Sequence, residues 1–127
     1  MTKEKVCGIG GLFFRAQGPD SLGRGTVTIS DHAGAAQLRG AVLVAGGGPT
    51  VFAPFPATTE YFGDAKNQWM VNFRVVRLDA LVEQLRAAGI SVEVDPERYP
   101  NGRFARLVDP EGNPIQLWQP EGREAPR

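Results

Sequence analysis

The chain carries one cysteine and one histidine in 127 residues. A lone cysteine closes no internal disulfide, so packing must hold the fold, and the pattern suits a reducing cytoplasm. Cys7 lies in an apolar run, where a thiol is expected to pack as a small hydrophobe rather than act as a nucleophile. His32 has no second His or Cys at ligand spacing, which makes it a loop residue rather than a metal ligand or a base. Charge of neither sign is in excess, with 14 basic and 14 acidic residues, so the basic footprint of a nucleic-acid-binding surface is missing. No apolar run approaches the roughly 20 residues of a membrane span, and Met1-Thr-Lys-Glu-Lys5 leads into no signal-peptide core. Together these absences predict a single cytoplasmic domain with no nucleic-acid partner and no membrane, long enough to bury a core.

What is present is clearest in the second half. Trp69-Met-Val-Asn-Phe-Arg-Val75 alternates apolar and polar residues, the period of a half-buried strand. Leu78, Leu81, Val82 and Leu85 follow at helical spacing on one stripe, with Asp79 and Arg86 at the dipole ends that suit their charges. Gly89 supplies the left-handed stop. Ile90, Val92 and Val94 predict a second strand and Phe104 to Val108 a third. The turn Asp109-Pro-Glu-Gly-Asn-Pro114 leads into a fourth, Ile115 to Trp118. Tyr99-Pro-Asn-Gly-Arg103 reads as a hairpin turn with no chemistry.

The first half reads as an imperfect copy. Val6 to Ala16 is a strand whose end, Gly11-Leu-Phe-Phe-Arg-Ala16, overlays Met70-Val-Asn-Phe-Arg-Val75, with Phe14 on Phe73 and Arg15 on Arg74. Strand alternation then assigns Leu12, Phe14, Ala16, Val71, Phe73 and Val75 to a helix-covered face. Gly11, Phe13, Arg15, Met70, Asn72 and Arg74 fall on the other face. Gly18-Pro-Asp-Ser-Leu22 starts like a helix, but residues 25–48 lack a helical period and are instead compatible with short strands at Thr26 to Ser30 and Leu38 to Ala45. Pro49-Thr-Val-Phe-Ala-Pro-Phe55 predicts an edge strand, because proline lacks the ladder donor.

Two β-α-β-β-β units joined by a loop, the second closing on Asp109-Pro-Glu-Gly-Asn-Pro-Ile-Gln-Leu-Trp118, resemble the vicinal oxygen chelate superfamily. It includes glyoxalase I, extradiol dioxygenases, fosfomycin-resistance enzymes and the bleomycin-resistance binding proteins. The resemblance covers residues 6–24 and 49–120 and is most specific at Phe73-Arg-Val75, Leu78-Asp-Ala80, Ala87-Ala-Gly-Ile90 and Asp109 to Trp118. It implies an α+β fold in which two βαβββ modules, residues 6–55 and 67–120 joined by the loop 56–66, pair curved mixed sheets around a shared cup. It also implies a homodimer. The first module is expected to be defective in its helix. Under the standard code, Gly25 to Asp31 can be encoded by bases that, read one position earlier, spell Trp-Tyr-Arg-Asp-His-Leu-Gly. Leu43 to Gly48, read one base later, can spell Trp-Trp-Gln-Glu-Ala-Gly. Residues 25–48 are therefore either an out-of-frame reading between compensating indels or a divergent Gly-rich lineage, and the coding DNA separates the two.

The resemblance also implies a divalent metal held by His or Glu at equivalent strand positions. Those positions fall here on Gly11, Met70 and Gln116, with the remaining one near Val51, and none offers a good N or O ligand. No catalytic metal is expected. The cup-side residues make a candidate binding site instead: Phe13, Met70, Trp118 and Trp69 as walls, with Asn72, Gln116, Arg15 and Arg74 as polar contacts. A second subunit covering the same sheet face is the alternative for Asn72, Gln116 and Trp118, and solvated or salt-bridged roles are the alternative for the arginines. Tyr61-Phe-Gly63 is placed as a lid over the cup or as ordinary loop packing. The function this predicts is metal-free binding of a small organic molecule, in the manner of the bleomycin-resistance proteins. Its rivals are a metal-dependent lyase or dioxygenase whose ligands lie elsewhere, and a non-functional product of a partly frameshifted reading.

Overall fold

The computed structural model describes residues 3–18, 36–37, 40–45 and 48–122, with residues 36–49 described by backbone pairing alone. Its strands are β1 (Val6–Ala16), β2 (Ala36–Gln37), β3 (Gly40–Ala45), β4 (Gly48–Pro56), β5 (Trp69–Val75), β6 (Glu93–Val94), β7 (Gly102–Val108) and β8 (Pro114–Pro120). The one described helix, α1, spans Leu78–Ala87. All eight strands join one mixed sheet in the order β2-β3-β4-β1-β5-β8-β7-β6.

That order is symmetric about the central β1–β5 pair. β1 and β5 run antiparallel, and each has a parallel outer neighbour, β4 and β8. The register carries the same symmetry. Phe13 faces Met70 and Gly11 faces Asn72 across β1 and β5. Overlaying Gly11 on Met70 and Phe13 on Asn72, as the repeat requires, exchanges those two pairs.

Helix α1 forms where the apolar stripe predicts. Leu78, Leu81 and Val82 are buried against Val75, Val92, Ala105 and Leu117, with Phe73 and Leu85 partly buried beside them. Arg77 supplies no side-chain cap, and the first orphan N–H finds its partner in the sheet, where Gln119 Oε1 accepts from Leu78 N at 2.8 Å. At the other end Gly89 takes φ +86°, the left-handed conformation that stops a helix without Cβ strain.

Several local expectations need correction. β4 is an interior strand, parallel to β1 and antiparallel to β3. The β3 ladder ends at Phe52, so Pro54 and Pro56 lie where β4 has β1 alone as neighbour, and their missing donors cost no ladder bond on the open side. From Ile90 to Val94 only Glu93–Val94 pairs as strand. Cys7 is exposed, because it falls in the register shift between Val6 and Gly8. Leu12 is 37% exposed and Ile9 54%, since no helix lies on that face of β1 among the described residues. Phe14 instead packs on Phe52 with ring centroids 4.8 Å apart. The helix start at residues 18–22, the missing first-half helix and the strand at residues 26–30 lie outside the described residues. No described helix is long and apolar enough to cross a membrane.

Candidate ligand-binding cup

A cavity of about 260 Å³ opens on the cup face of the sheet. β1 contributes Gly10 and Phe13 and β4 contributes Val51 and Phe55. β5 adds Asn72, β7 Phe104, and β8 Gln116 and Trp118, while Tyr61 and Asn101 arrive from loops. Its floor exists because of a backbone irregularity. The register shift between Ile9 and Gly11 leaves both Gly10 and Gly11 buried. A Cβ on Gly10 would press on Asn72 Oδ1 and lie 2.9 Å from both Arg74 Cγ and Trp118 Cε3. Only glycine fits that position.

The walls are aromatic. Phe13 and Phe55 meet at 5.1 Å, and Phe104 lies parallel to Trp118 with centroids 6.2 Å apart and 4° between planes. The indole N–H is satisfied by the Asn101 carbonyl at 2.8 Å, so Trp118 turns an apolar face to the cavity. Phe55 also stacks on Tyr61 at 6.0 Å.

The polar groups form one chain across the cup. Asn72 and Gln116 are register partners on β5 and β8, and Asn72 Nδ2 donates to Gln116 Oε1. Gln116 Nε2 in turn donates to the Tyr61 hydroxyl oxygen. Asn72 is 1% exposed, and its Oδ1 has no partner among the described residues. A buried acceptor left in that state costs about 1–3 kcal/mol, and this one lies against the Gly10 backbone. Burial raises the Tyr61 pKa above its ordinary value, while the Gln116 hydrogen bond and the Arg106 guanidinium pull it down without cancelling the shift. The phenol is protonated at neutral pH. Arg106 lies over the Tyr61 ring at 4.8 Å, donates to the Tyr61 carbonyl at 3.2 Å and pairs with Glu93 at 3.1 Å.

Of the residues singled out from sequence, Phe13, Asn72, Gln116 and Trp118 come together in this cavity. Met70 lies instead in a core cluster with Phe13, Ala53 and Phe62, at the wall of a separate, larger opening of about 400 Å³. Arg15 does not line the cup. Its guanidinium donates to the carbonyls of Asn67, Ala57 and Thr59 at 2.7–2.8 Å and lies over the Phe62 ring, fastening the loop that carries Tyr61. Arg74 is buried alongside β1, donating to the Ile9 carbonyl at 2.9 Å, and is not among the lining residues. Trp69 is 43% exposed, because its place in β5 points it to the opposite face from Met70.

Sequence reasoning passed over Gly10, Phe55, Asn101 and Phe104. Phe104 was recoverable, since antiparallel pairing sets it opposite Trp118. Gly10 was not, because the register shift displaces the simple alternation. The loop expected to cover the cup divides its roles: Phe62 is buried in the core, while Tyr61 supplies the hydroxyl.

The donor set also bears on the metal that the fold family implies. Two neutral amides and a protonated phenol are weak ligands for a divalent ion, which prefers imidazole, thiolate or carboxylate. No group of three or more His, Cys, Asp or Glu at ligand distance occurs among the described residues. The described residues do not fit a divalent metal.

A mixed sheet ordered symmetrically about a central antiparallel pair, with one helix among the described residues, is the architecture of a glyoxalase-like domain. The family model of the glyoxalase-like domain matches residues 19–118, and the chain belongs to that family. Among solved structures it resembles methylmalonyl-CoA epimerase from Mycobacterium tuberculosis at 20% identity and TM-score 0.63, over 97% of this chain and 94% of that one. A single-site variant of methylmalonyl-CoA epimerase from Streptomyces coelicolor, in complex with 2-nitronate-propionyl-CoA, matches at 21% identity and TM-score 0.65, over 93% and 100% of the two chains. The Mn(II)-bound glyoxalase from Novosphingobium aromaticivorans matches at 16% identity and TM-score 0.53, over 98% of this chain but 42% of that chain. No curated protein matches the sequence. At these identities the neighbours define the fold alone.

Proposed function

We propose that this protein binds a small, flat, uncharged organic molecule in the cup, without a catalytic metal and without transforming it. One observation carries the reading: an aromatic cavity crossed by the Asn72–Gln116–Tyr61 hydrogen-bond chain, whose described lining residues bear no charge. Apolar walls with a few placed polar groups are the usual makeup of a small-molecule site. The described residues of the lining offer no carboxylate or imidazole to act as a general base, which favours binding over catalysis. The described lining also lacks charge to complement a strongly cationic or anionic ligand, which favours an uncharged variant of a drug-sequestering site. The module boundaries at residues 6–55 and 67–120, a homodimeric state and a cytoplasmic setting belong to the same proposal.

Thermal-shift measurements on the full chain test it, with uncharged aromatics in one arm and zinc, nickel and manganese in the other. A cooperative melt raised by uncharged aromatics and unmoved by the metals is the expected result. A melt raised by a metal, together with glyoxalase-type turnover, would replace the proposal with the metal-dependent rival. Absence of any cooperative melt would favour a non-functional product.

A further inference from the structure

Tyr61 stands where the cup face divides in two. Alternation along the strands puts Asn72 and Met70 on this face of β5, Gln116 and Pro114 on the same face of β8, and Arg106 and Val108 on that face of β7. The aromatic cavity of about 260 Å³ takes in Asn72 and Gln116, and the larger one of about 400 Å³ takes in Met70, Arg106, Val108 and Pro114. Tyr61 lines both cavities, and no other described residue does. Its ring is held from three directions. Phe55 stacks on it with centroids 6.0 Å apart and 20° between planes, the Arg106 guanidinium lies 4.8 Å from its centroid, and Gln116 donates to its hydroxyl oxygen. Its backbone is fixed as well: the Tyr61 N–H donates to Thr59 Oγ1 at 3.2 Å, and the next residue, Phe62, is buried. A ring pinned at its tip, its faces and its backbone is a partition.

Resting on the reading of the cup as an uncharged aromatic site, we infer that Tyr61 determines ligand size, holding the cup to two-ring aromatics by closing the aromatic cavity off from the larger one. Along β8 the floor runs from Trp118 through Gln116 to Pro114, about 13 Å at the rise of an extended strand, and the phenol meets that line at Gln116. The cavity of about 260 Å³ exceeds the roughly 150 Å³ known to hold benzene, so a second ring fits. A third ring in line with the first two meets the phenol. Beyond it lies the apolar cover of Met70, Val108 and Pro114. The other way out, past Phe104, leads to a recess bearing the Asp95 carboxylate and Tyr99, where an apolar ring would strip water from a charge.

Titration calorimetry of the full chain with quinoline and acridine at pH 8, where both are uncharged, measures this limit, because the two differ by one fused ring. The parent protein should bind quinoline about tenfold tighter than acridine. Tyr61→Ala should reverse the order, tightening acridine by about tenfold or more while quinoline, having lost a wall, weakens. Tyr61→Phe keeps the ring and should keep the parent order. Val108 is exposed, so adding Val108→Trp to Tyr61→Ala refills the larger cavity and should cancel the acridine gain. Acridine tighter than quinoline in the parent protein would overturn the inference, whether or not Tyr61→Ala folds. So would a folded Tyr61→Ala with no gain for acridine, an equal gain in Tyr61→Phe, or a gain that survives Val108→Trp. In each of those results the cup still binds an aromatic. If neither compound binds the parent protein or any variant, it is the reading of the cup itself that fails.

Discussion

Gln119 caps a helix that begins 41 residues earlier: its Oε1 accepts the Leu78 N–H at 2.8 Å. The helix start has Arg77 where a capping Ser, Thr, Asp or Asn would serve, so strand β8 supplies from the sheet what the local sequence lacks. The bond fixes the start of α1 against the same strand whose neighbouring residues, Gln116 and Trp118, line the cup.

Gln119→Ala should therefore cost about 1 kcal/mol, the usual value of a lost helix cap. Urea denaturation measures it, and a midpoint equal to the parent protein's would show the bond to be worthless. Gln119 is not among the residues lining the cavity, so aromatic ligand affinity should stay unchanged.

Gly10→Ala attacks the cup floor directly. Its Cβ would need to displace Asn72 Oδ1, Arg74 Cγ or Trp118 Cε3, all belonging to buried side chains. Overpacking of this kind costs about 1–3 kcal/mol. Ligand binding should fall further than stability does, because two of the displaced side chains, Asn72 and Trp118, line the cavity. Paired calorimetry and denaturation curves show whether the two effects separate in that order.

Arg15 should behave as a fastener of the loop and not as a ligand contact. Hydrogen bonds from a charged donor to three loop carbonyls predict a loss of about 2–3 kcal/mol in Arg15→Ala. Hydrogen exchange should rise across residues 57–67 first. Arg15→Lys should recover little, since an ammonium cannot reproduce the planar fork that spans separate carbonyls. Direct loss of ligand affinity with an unchanged exchange profile would place Arg15 in the cup after all.

How far the sequence could be read follows from how local each feature is. Strands β1 and β5 and helix α1 were legible residue by residue, because strand alternation and a helical stripe are written in neighbouring positions. The Phe14–Phe73 and Arg15–Arg74 overlay marked β1 and β5 as equivalent strands, but their antiparallel pairing joins residues about 60 apart and is written in neither strand. β4 reads as an edge because proline signals a missing donor but not the ladder side on which it falls. The site was half legible. Asn72, Gln116 and Trp118 share a strand phase that alternation reveals, whereas Gly10 depends on a register shift and Tyr61 on where a loop is fastened. Arg15 carried a correct phase and a wrong role: its long side chain reaches past the cup to carbonyls of residues 57–67 that no pattern in β1 announces.

The Tyr61 phenol gives the cup a pH signature. Burial holds its pKa above the ordinary 10.0, while the unfolded chain ionises near that ordinary value. Below about pH 10 both states keep the proton, and the stabilisation is fully present. As pH rises through the folded value the unfolded state has already released its proton, so this contribution is lost with increasing alkalinity. Tyr99 is also raised, chiefly through its hydrogen bond to Asp95, so the parent protein alone cannot isolate the effect. Comparison with Tyr61→Phe can: its stability should fall less steeply above about pH 10, and the two curves should run parallel from pH 6 to 9. On the acid side Asp79 is held below its ordinary 3.8, first by its hydrogen bond to Arg103. Its contribution is present above that value and is lost as pH falls through the folded pKa, identically in both proteins. Divergence of the curves at low pH, or no divergence at high pH, would show that Tyr61 is not the buried, protonated phenol of the cup.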